Sequence, residues 1–393
     1  MTTPTVIAAT TNLKGSLLDD AAREIIRKGL LGKHEIYWRD YQPWLKTCGY
    51  QLRPRFQPDW VPSWQGSEYS LLNPPEDGLR LVRAAVIDAT LIKDGKRVTL
   101  KRVNKEDHPN ELEITQLWSS EALSNDPQNH CIPLLDVLYP PNHPDHLIMV
   151  LPFLRTYDTP RFDTFGEVID CVDQLFKGLQ FIHRQHVAHR DIHPGNIMME
   201  GEVICPGSWH LHNNSLAPDG RTRAKNFTRT QRPPKYYFID FGLSSQYDPS
   251  EADPLELPVI GGDKTVPEFQ TSGTLFNPFH TDIYYMGNFV RENFIDGKAS
   301  YTHGHYGMKF LQPLISDMVQ DDPAKRPTID EVVVRFEEMC KRLGSWKLRS
   351  RPAPRNAFVP YTISRVCRHW VRRVGYVIRR IPPIPSGWQK NKA

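Results

Sequence analysis

Long apolar runs are missing from this 393-residue chain. None approaches the roughly 20 consecutive apolar residues that a helix needs to cross a bilayer. Residues 1–10 lack the basic-then-apolar layout of a secretory leader, so the expected setting is cytoplasmic, with nuclear or peripheral membrane association as further options. Cysteine is sparse. The six thiols (Cys48, Cys131, Cys171, Cys205, Cys340 and Cys367) include no C-x-x-C pair. That spacing argues against a disulfide frame or a zinc site and fits reduced thiols. Acidic residues are missing from 345–393, which hold twelve Lys or Arg and no Asp or Glu. The remainder holds 37 basic against 45 acidic residues, a net of −8, although the whole chain carries +4. A mildly acidic body with a basic tail gives no strong nucleic-acid signal.

What is present is a set of short strings in a fixed order. His189-Arg190-Asp191-Ile192-His193-Pro194-Gly195-Asn196 is followed by Asp240-Phe241-Gly242. They match H-R-D-x-x-x-x-N and D-F-G. Phosphoryl transfer needs a carboxylate near the attacking hydroxyl and oxygen donors for Mg²⁺, and these strings carry both. Val98-Thr99-Leu100-Lys101 resembles V-A-I-K, and Val266-Pro267-Glu268 resembles A-P-E. Asp282-Ile283-Tyr284-Tyr285-Met286-Gly287 resembles D-x-W-x-x-G, and Asp322-Pro323-Ala324-Lys325-Arg326-Pro327 resembles D-P-x-x-R-P.

Over about residues 78–344 the chain therefore resembles the protein kinase superfamily. The resemblance implies an α+β, bilobal protein-kinase-like fold, with a small antiparallel β lobe carrying one helix and a larger, mainly helical lobe. The small lobe is expected at about 78–151 and the large lobe at about 155–344, with an insert at about 201–235. Residues 1–77 form an extension rich in Trp, Tyr and Pro, expected to pack on the small lobe or to form a peptide-docking groove. A helix from Ser16 to Leu31, with Ser16 as N-cap, is expected within it.

The resemblance also implies roles. Asp191 accepts or orients the substrate hydroxyl proton, and Asn196 and Asp240 hold Mg²⁺. Lys101 pairs with ATP phosphates and needs a glutamate partner from the next helix. Glu113 is expected there rather than Glu111, because an apolar residue, Leu117, follows it by four positions. Val86 covers the nucleotide, Leu151 is the gatekeeper, and adenine bonds the Pro152 C=O and the Leu154 N–H. Arg190 could receive an activation-segment phosphate, with Ser244, Ser245 and Ser250 as sites. Asp282 braces the catalytic loop, and Glu268 pairs with Arg326.

Three departures stand out. The Gly-rich loop is absent, since Leu79, Leu81 and Ala84 occupy its glycine positions. Glycines let backbone close over phosphates without Cβ clashes, so a stiffer lid is expected. His193 replaces the lysine or arginine two residues after Asp191, and can donate one hydrogen bond. Gly261-Gly262-Asp263-Lys264-Thr265 does not fit the substrate-positioning G-T-x-x-Y stretch. With its long basic insert, the layout resembles protein-kinase-like proteins abundant in basidiomycete fungi. Three functions stay open: ATP- and Mg²⁺-dependent transfer to protein Ser or Thr, a pseudokinase scaffold, and a small-molecule kinase. The insert is expected to run through solvent as a surface excursion, to recognise acidic substrates or to dock on the body.

In the tail, Ile363, Val366, Trp370, Val374, Val377 and Ile381 recur on one helical arc over about 361–381, with arginines mostly opposite. Such a helix either docks on the acidic body, lies on an anionic membrane surface, or meets an acidic partner.

Overall fold

One five-stranded antiparallel sheet, with runs of consecutive buried residues on two of its strands, builds the small lobe. The computed structural model describes residues 29–65, 75–81, 83–211, 213–251, 253–270, 273–298, 302–355 and 359–385. The helix expected over Ser16–Leu31 lies outside these, except for its last three residues, which are not helical. The sheet comprises β1 (Tyr50–Leu52), β2 (Val86–Leu91), β3 (Arg97–Asn104), β4 (Asp136–Leu138) and β5 (His146–Pro152), in the order β1-β2-β3-β5-β4. Helix α1 (Lys33–Thr47) precedes it, and α2 (Glu111–Trp118) follows β3.

The domain boundary expected at residue 78 is too late. The sheet's first strand and the helix before it both come from the segment read as an extension. Trp38 of α1 and Phe56 are fully buried, in one cluster with Tyr50, Leu52, Ile87, Leu100 and Val150. A three-residue strand is too short to show a period, so β1 leaves no signal in the sequence. The link from β1 to β2 is consequently residues 53–85, not a tight glycine hairpin. Buried polar contacts hold it down. Glu35 of α1 takes a two-pronged contact from Arg55 at 2.9 and 3.0 Å and the N–H of Leu81 at 3.0 Å. These donors lower the Glu35 pKa against the opposing push of burial.

The large lobe is organised by α3 (Phe165–Arg184), N-capped by the Thr164 hydroxyl, which accepts from Glu167 N–H at 3.1 Å. Val168, Val172, Leu175, Leu179 and Ile182 are buried along it. The lobe continues with β6 (Arg155–Thr156), β7 (Val187–Ala188), β8 (Ile197–Met199), α4 (Gly201–Ile204), β9 (Tyr236–Phe238) and β10 (Ser245–Gln246). Then come α5 (Pro278–Val290), α6 (Gln312–Met318), α7 (Ile329–Lys341), α8 (Ser345–Leu348) and α9 (Val359–Ile378). Phe176 of α3 meets Phe336 of α7 edge-on at 5.1 Å. Strands β6, β8 and β9 form one small sheet, and β7 pairs with β10. The architecture is a bilobal α+β kinase fold.

The insert docks on the body. Arg229 is fully buried, with its guanidinium 4.1 Å from the Phe162 ring and donating to the Tyr157 carbonyl at 2.6 Å. Trp209 stacks on Phe153, the residue after β5, at 4.8 Å, and Arg97 covers that ring at 3.8 Å. The tail helix docks too, through its polar side. His369, Arg373 and Tyr376 are buried, and Val366, Trp370, Val374 and Val377 of the apolar arc face outward.

Candidate active site

Two short strand pairs position the site. Residues 189–196 run from β7 to β8, and 239–244 run from β9 to β10. The Ile239 N–H donates to the Asn196 carbonyl at 3.0 Å, so Asn196 and Asp240 lie at the ends of adjacent strands. From below, the fully buried Asp282 carboxylate accepts from the N–H groups of His189 and Arg190, both at 2.7 Å. It also lies 3.0 Å from His183 Nε2. A buried carboxylate so satisfied fixes the loop backbone, in which Arg190 has an uncommon φ of 65°. Burial lowers the pKa of His189 against the pull of Asp282. Its ring matches the neutral form, with Nδ1 accepting from the Asp191 N–H at 3.3 Å and Nε2 3.2 Å from the Ile239 carbonyl.

Lys101 of β3 bridges the lobes. Its Nζ donates to Glu111 and, at 2.7 Å, to Asp240 Oδ1. Burial works against its charge, but the Glu111 and Asp240 carboxylates outweigh burial and raise its pKa. Asp240 moves the other way: burial opposes ionisation, yet Lys101 lowers its pKa. The partner of Lys101 is Glu111, not the expected Glu113. Glu111, Ile114, Thr115 and Trp118 form the buried face of α2, whereas Glu113 points to solvent. The residue four positions after Glu111 is Thr115, whose hydroxyl is satisfied internally by the Glu111 carbonyl at 2.7 Å, so it sits in the core without being apolar. Phe241 is fully buried against Trp118 of α2 and His189, with ring centroids at 5.6 and 5.1 Å. A Cβ on Gly242 would lie 2.9 Å from His108 Nδ1 and 3.2 Å from Glu111 Oε2, so a larger residue would have to displace side chains beside this ion pair.

Asp191 is held on both oxygens. Oδ2 accepts from Asn196 Nδ2 at 2.8 Å, and Oδ1 accepts from the Gly262 N–H at 2.6 Å. A Cβ on Gly261 would sit 2.4 Å from Asp191 Oδ1 and one on Gly262 would sit 2.6 Å from His193 Cδ2, so both glycines lie pressed against the loop. Nothing in the G-T-x-x-Y pattern points to Gly261 and Gly262; the doubled glycine itself is the signal. His193 Nδ1 accepts from the Gly195 N–H at 3.1 Å, which places the ring proton on Nε2, 3.6 Å from Asp191 Oδ2. Arg190 is already partnered. Its Nε lies 2.9 Å from Glu256 Oε1, and it donates to the Ser245 hydroxyl. Ser244 is buried, and its hydroxyl donates to the His189 carbonyl at 3.0 Å. Glu256 escaped notice in sequence because it belongs to no string. Further along, Arg326 meets Glu268 in a fully buried two-pronged pair at 2.6 and 2.8 Å.

The cleft's remaining positions lie on the sheet. Val86 opens β2 opposite Lys101, Leu151 is buried opposite Thr99, and Pro152 ends β5 opposite Val98. Leu154 follows, half-buried.

Residues 82–257 match the family model described as "Protein kinase domain". Over that stretch, a little under half of its length, the chain is similar to protein kinase domains. It is 28% identical to cyclin-dependent kinase D-1 of Arabidopsis thaliana over 174 residues, 42% of this chain and 41% of that one. It is 29% identical to a probable cell division protein kinase of Encephalitozoon cuniculi over 126 residues, 30% of this chain and 44% of that one. The chain thus spans less than half the length of either relative.

The donor set suits a hard cation. Asp240 keeps 40% of its side chain accessible with one oxygen on Lys101, and Asn196 turns its amide nitrogen to Asp191, leaving the oxygen on the other side. A carboxylate and an amide oxygen are ligands Mg²⁺ accepts.

Proposed function

We propose that this kinase-type domain transfers the γ-phosphoryl group of ATP to Ser or Thr hydroxyls of a protein. The observation that carries this reading is the junction of Lys101, Glu111 and Asp240 beside Asp191 and Asn196. Lys101, held charged by two carboxylates, neutralises phosphate oxygens. Asp191 orients the hydroxyl and accepts its proton. The buried Asp282 and the Gly262 N–H fix where Asp191 points, and positioning is most of the work in phosphoryl transfer. Asp240 and Asn196 would hold Mg²⁺, which when bound supplies charge neutralisation on the phosphates. His193 turns its Nε2 toward Asp191 and offers one hydrogen-bond donor where a lysine would bring a full charge.

Two observations favour a second reading, a nucleotide-binding scaffold with little turnover. The β1–β2 link is not a glycine hairpin, and the Gly262 N–H already occupies one oxygen of Asp191. Incubation with labelled ATP and Mg²⁺ against generic Ser/Thr proteins and small alcohols separates the readings. Transfer to protein that disappears in Asp191→Ala supports the kinase. Nucleotide-induced thermal stabilisation with equal background from both chains supports the scaffold, and label on the small alcohols alone points to a small-molecule kinase.

A further inference from the structure

Helix α9 is docked by the wrong side for an ordinary amphipathic helix. A helix that packs on a globular body normally buries its apolar stripe and turns its charges to water. Here His369, Arg373 and Tyr376 face the large lobe, all at least 95% buried. The Tyr376 hydroxyl lies 2.7 Å from Thr228 Oγ1, His369 Nδ1 lies 3.6 Å from Asp163, and Arg372 lies 3.5 Å from the same carboxylate. Arg373 also donates to the Trp346 carbonyl at 2.9 Å. These contacts fix the rotation of the helix, so the outward face is set.

That outward face is apolar. Val366, Trp370, Val371, Val374, Val377 and Ile378 are 37%, 45%, 75%, 52%, 55% and 75% exposed. At 100° per residue they cover an arc of about 140°. Trp346, 70% exposed, extends the strip: its ring lies 5.9 Å from Trp370, and the Arg373 guanidinium lies 3.6 Å from Trp346 and 4.8 Å from Trp370. Exposed Arg368, Arg379 and Arg380 flank the strip, and no acidic residue occurs from 345 to 393.

We propose that this face lies on an anionic lipid surface, with the apolar arc in the acyl boundary and the arginines on the headgroups. Apolar strips edged by tryptophan and arginine, without acidic residues, have the chemistry of an interfacial helix. Among the described residues no helix is long and apolar enough to cross a membrane, so the helix rests on the surface. A second copy of the chain is the poorer occupant, because pairing two such strips brings like-charged arginine rows together. An acidic lipid surface supplies the opposite charge along the whole strip.

The test is vesicle co-sedimentation of the full chain, and it does not depend on phosphotransfer. Phosphatidylcholine vesicles containing roughly one-third phosphatidylserine should bind the chain, while pure phosphatidylcholine vesicles should bind it at least about tenfold more weakly. Raising the salt several-fold should weaken binding. Val374→Glu with Val377→Glu, and separately Arg368→Glu with Arg379→Glu, should each weaken it by about tenfold or more. All four side chains are solvent-facing, so an unchanged melting temperature shows that the fold is intact. Absence of sedimentation, equal binding to both vesicle types, or wild-type binding by both variants overturns the proposal. So does a dimer that Val374→Glu dissociates, since a second copy would then cover the face.

Discussion

Glu111 and Glu113 lie two residues apart on one helix, yet one touches Lys101 and the other touches water. A helix turns about 200° over two residues, so both cannot face the cleft. The charge on Lys101 depends on Glu111 and Asp240 together. Glu111→Gln should therefore lower phosphate transfer by about 10²-fold, the scale for losing a preorganised polar contact, while Glu113→Gln should match wild type. Steady-state kinetics on both variants check this. His130 illustrates a different residue-scale cost. Burial lowers its pKa to about 4, from an ordinary 6.5, although it donates to the Tyr236 carbonyl at 2.8 Å. Between those values the unfolded chain binds a proton that the folded chain refuses, so stability falls as pH drops from about 6.5 to 4. The loss should be a few kcal/mol, and replacing His130 with Asn should flatten that part of a pH–melting profile.

At the scale of elements, the activation segment is tied down by a carboxylate. Glu256 lies on Arg190, accepts from the Tyr247 hydroxyl at 2.5 Å, and exchanges backbone hydrogen bonds with Phe276 at 2.9 and 3.1 Å. Burial raises the Tyr247 pKa, and Glu256 raises it further, so the contact stays protonated and polar. A phosphate is not needed to satisfy Arg190. Glu256→Ala should speed hydrogen exchange at about 245–260 by roughly tenfold or more, whereas Ser250→Ala should leave it unchanged. Much at this scale was legible. Asp282, Glu268 and Arg326 sit in short contiguous strings whose spacing reflects a local turn, so their neighbourhoods can be read from sequence. Glu256, Gly262 and Trp209 reach their partners across long chain separations from loops with no period. No local pattern announces such contacts.

At the scale of the whole molecule, the two lobes are joined by more than the β5 exit. Trp209 of the insert and Arg97 of β3 both pack on Phe153, and His210 lies 3.7 Å from Glu76 of the β1–β2 link. The small lobe also needs α1 and β1, which precede residue 78. The fold class was readable because the kinase strings come in order. The boundary was not, because aromatic residues at irregular spacing carry no period even when they form a core. A chain shortened to begin at residue 78 should therefore fail to fold its small lobe. The milder change Trp38→Ala should cost about 3–5 kcal/mol in denaturant melts, because it empties a fully buried site.

Under the proposed function, Lys101, Glu111, Asp191, Asn196 and Asp240 together move a phosphoryl group. The most direct measurement pairs nucleotide affinity with single-turnover transfer from labelled ATP, in wild type and Asp191→Ala. The expected result is equal affinity with transfer lowered by about 10³-fold or more in the variant, because Asp191 acts on the hydroxyl and not on the nucleotide. Equal transfer by both chains, or tight nucleotide binding with none from wild type, would contradict it.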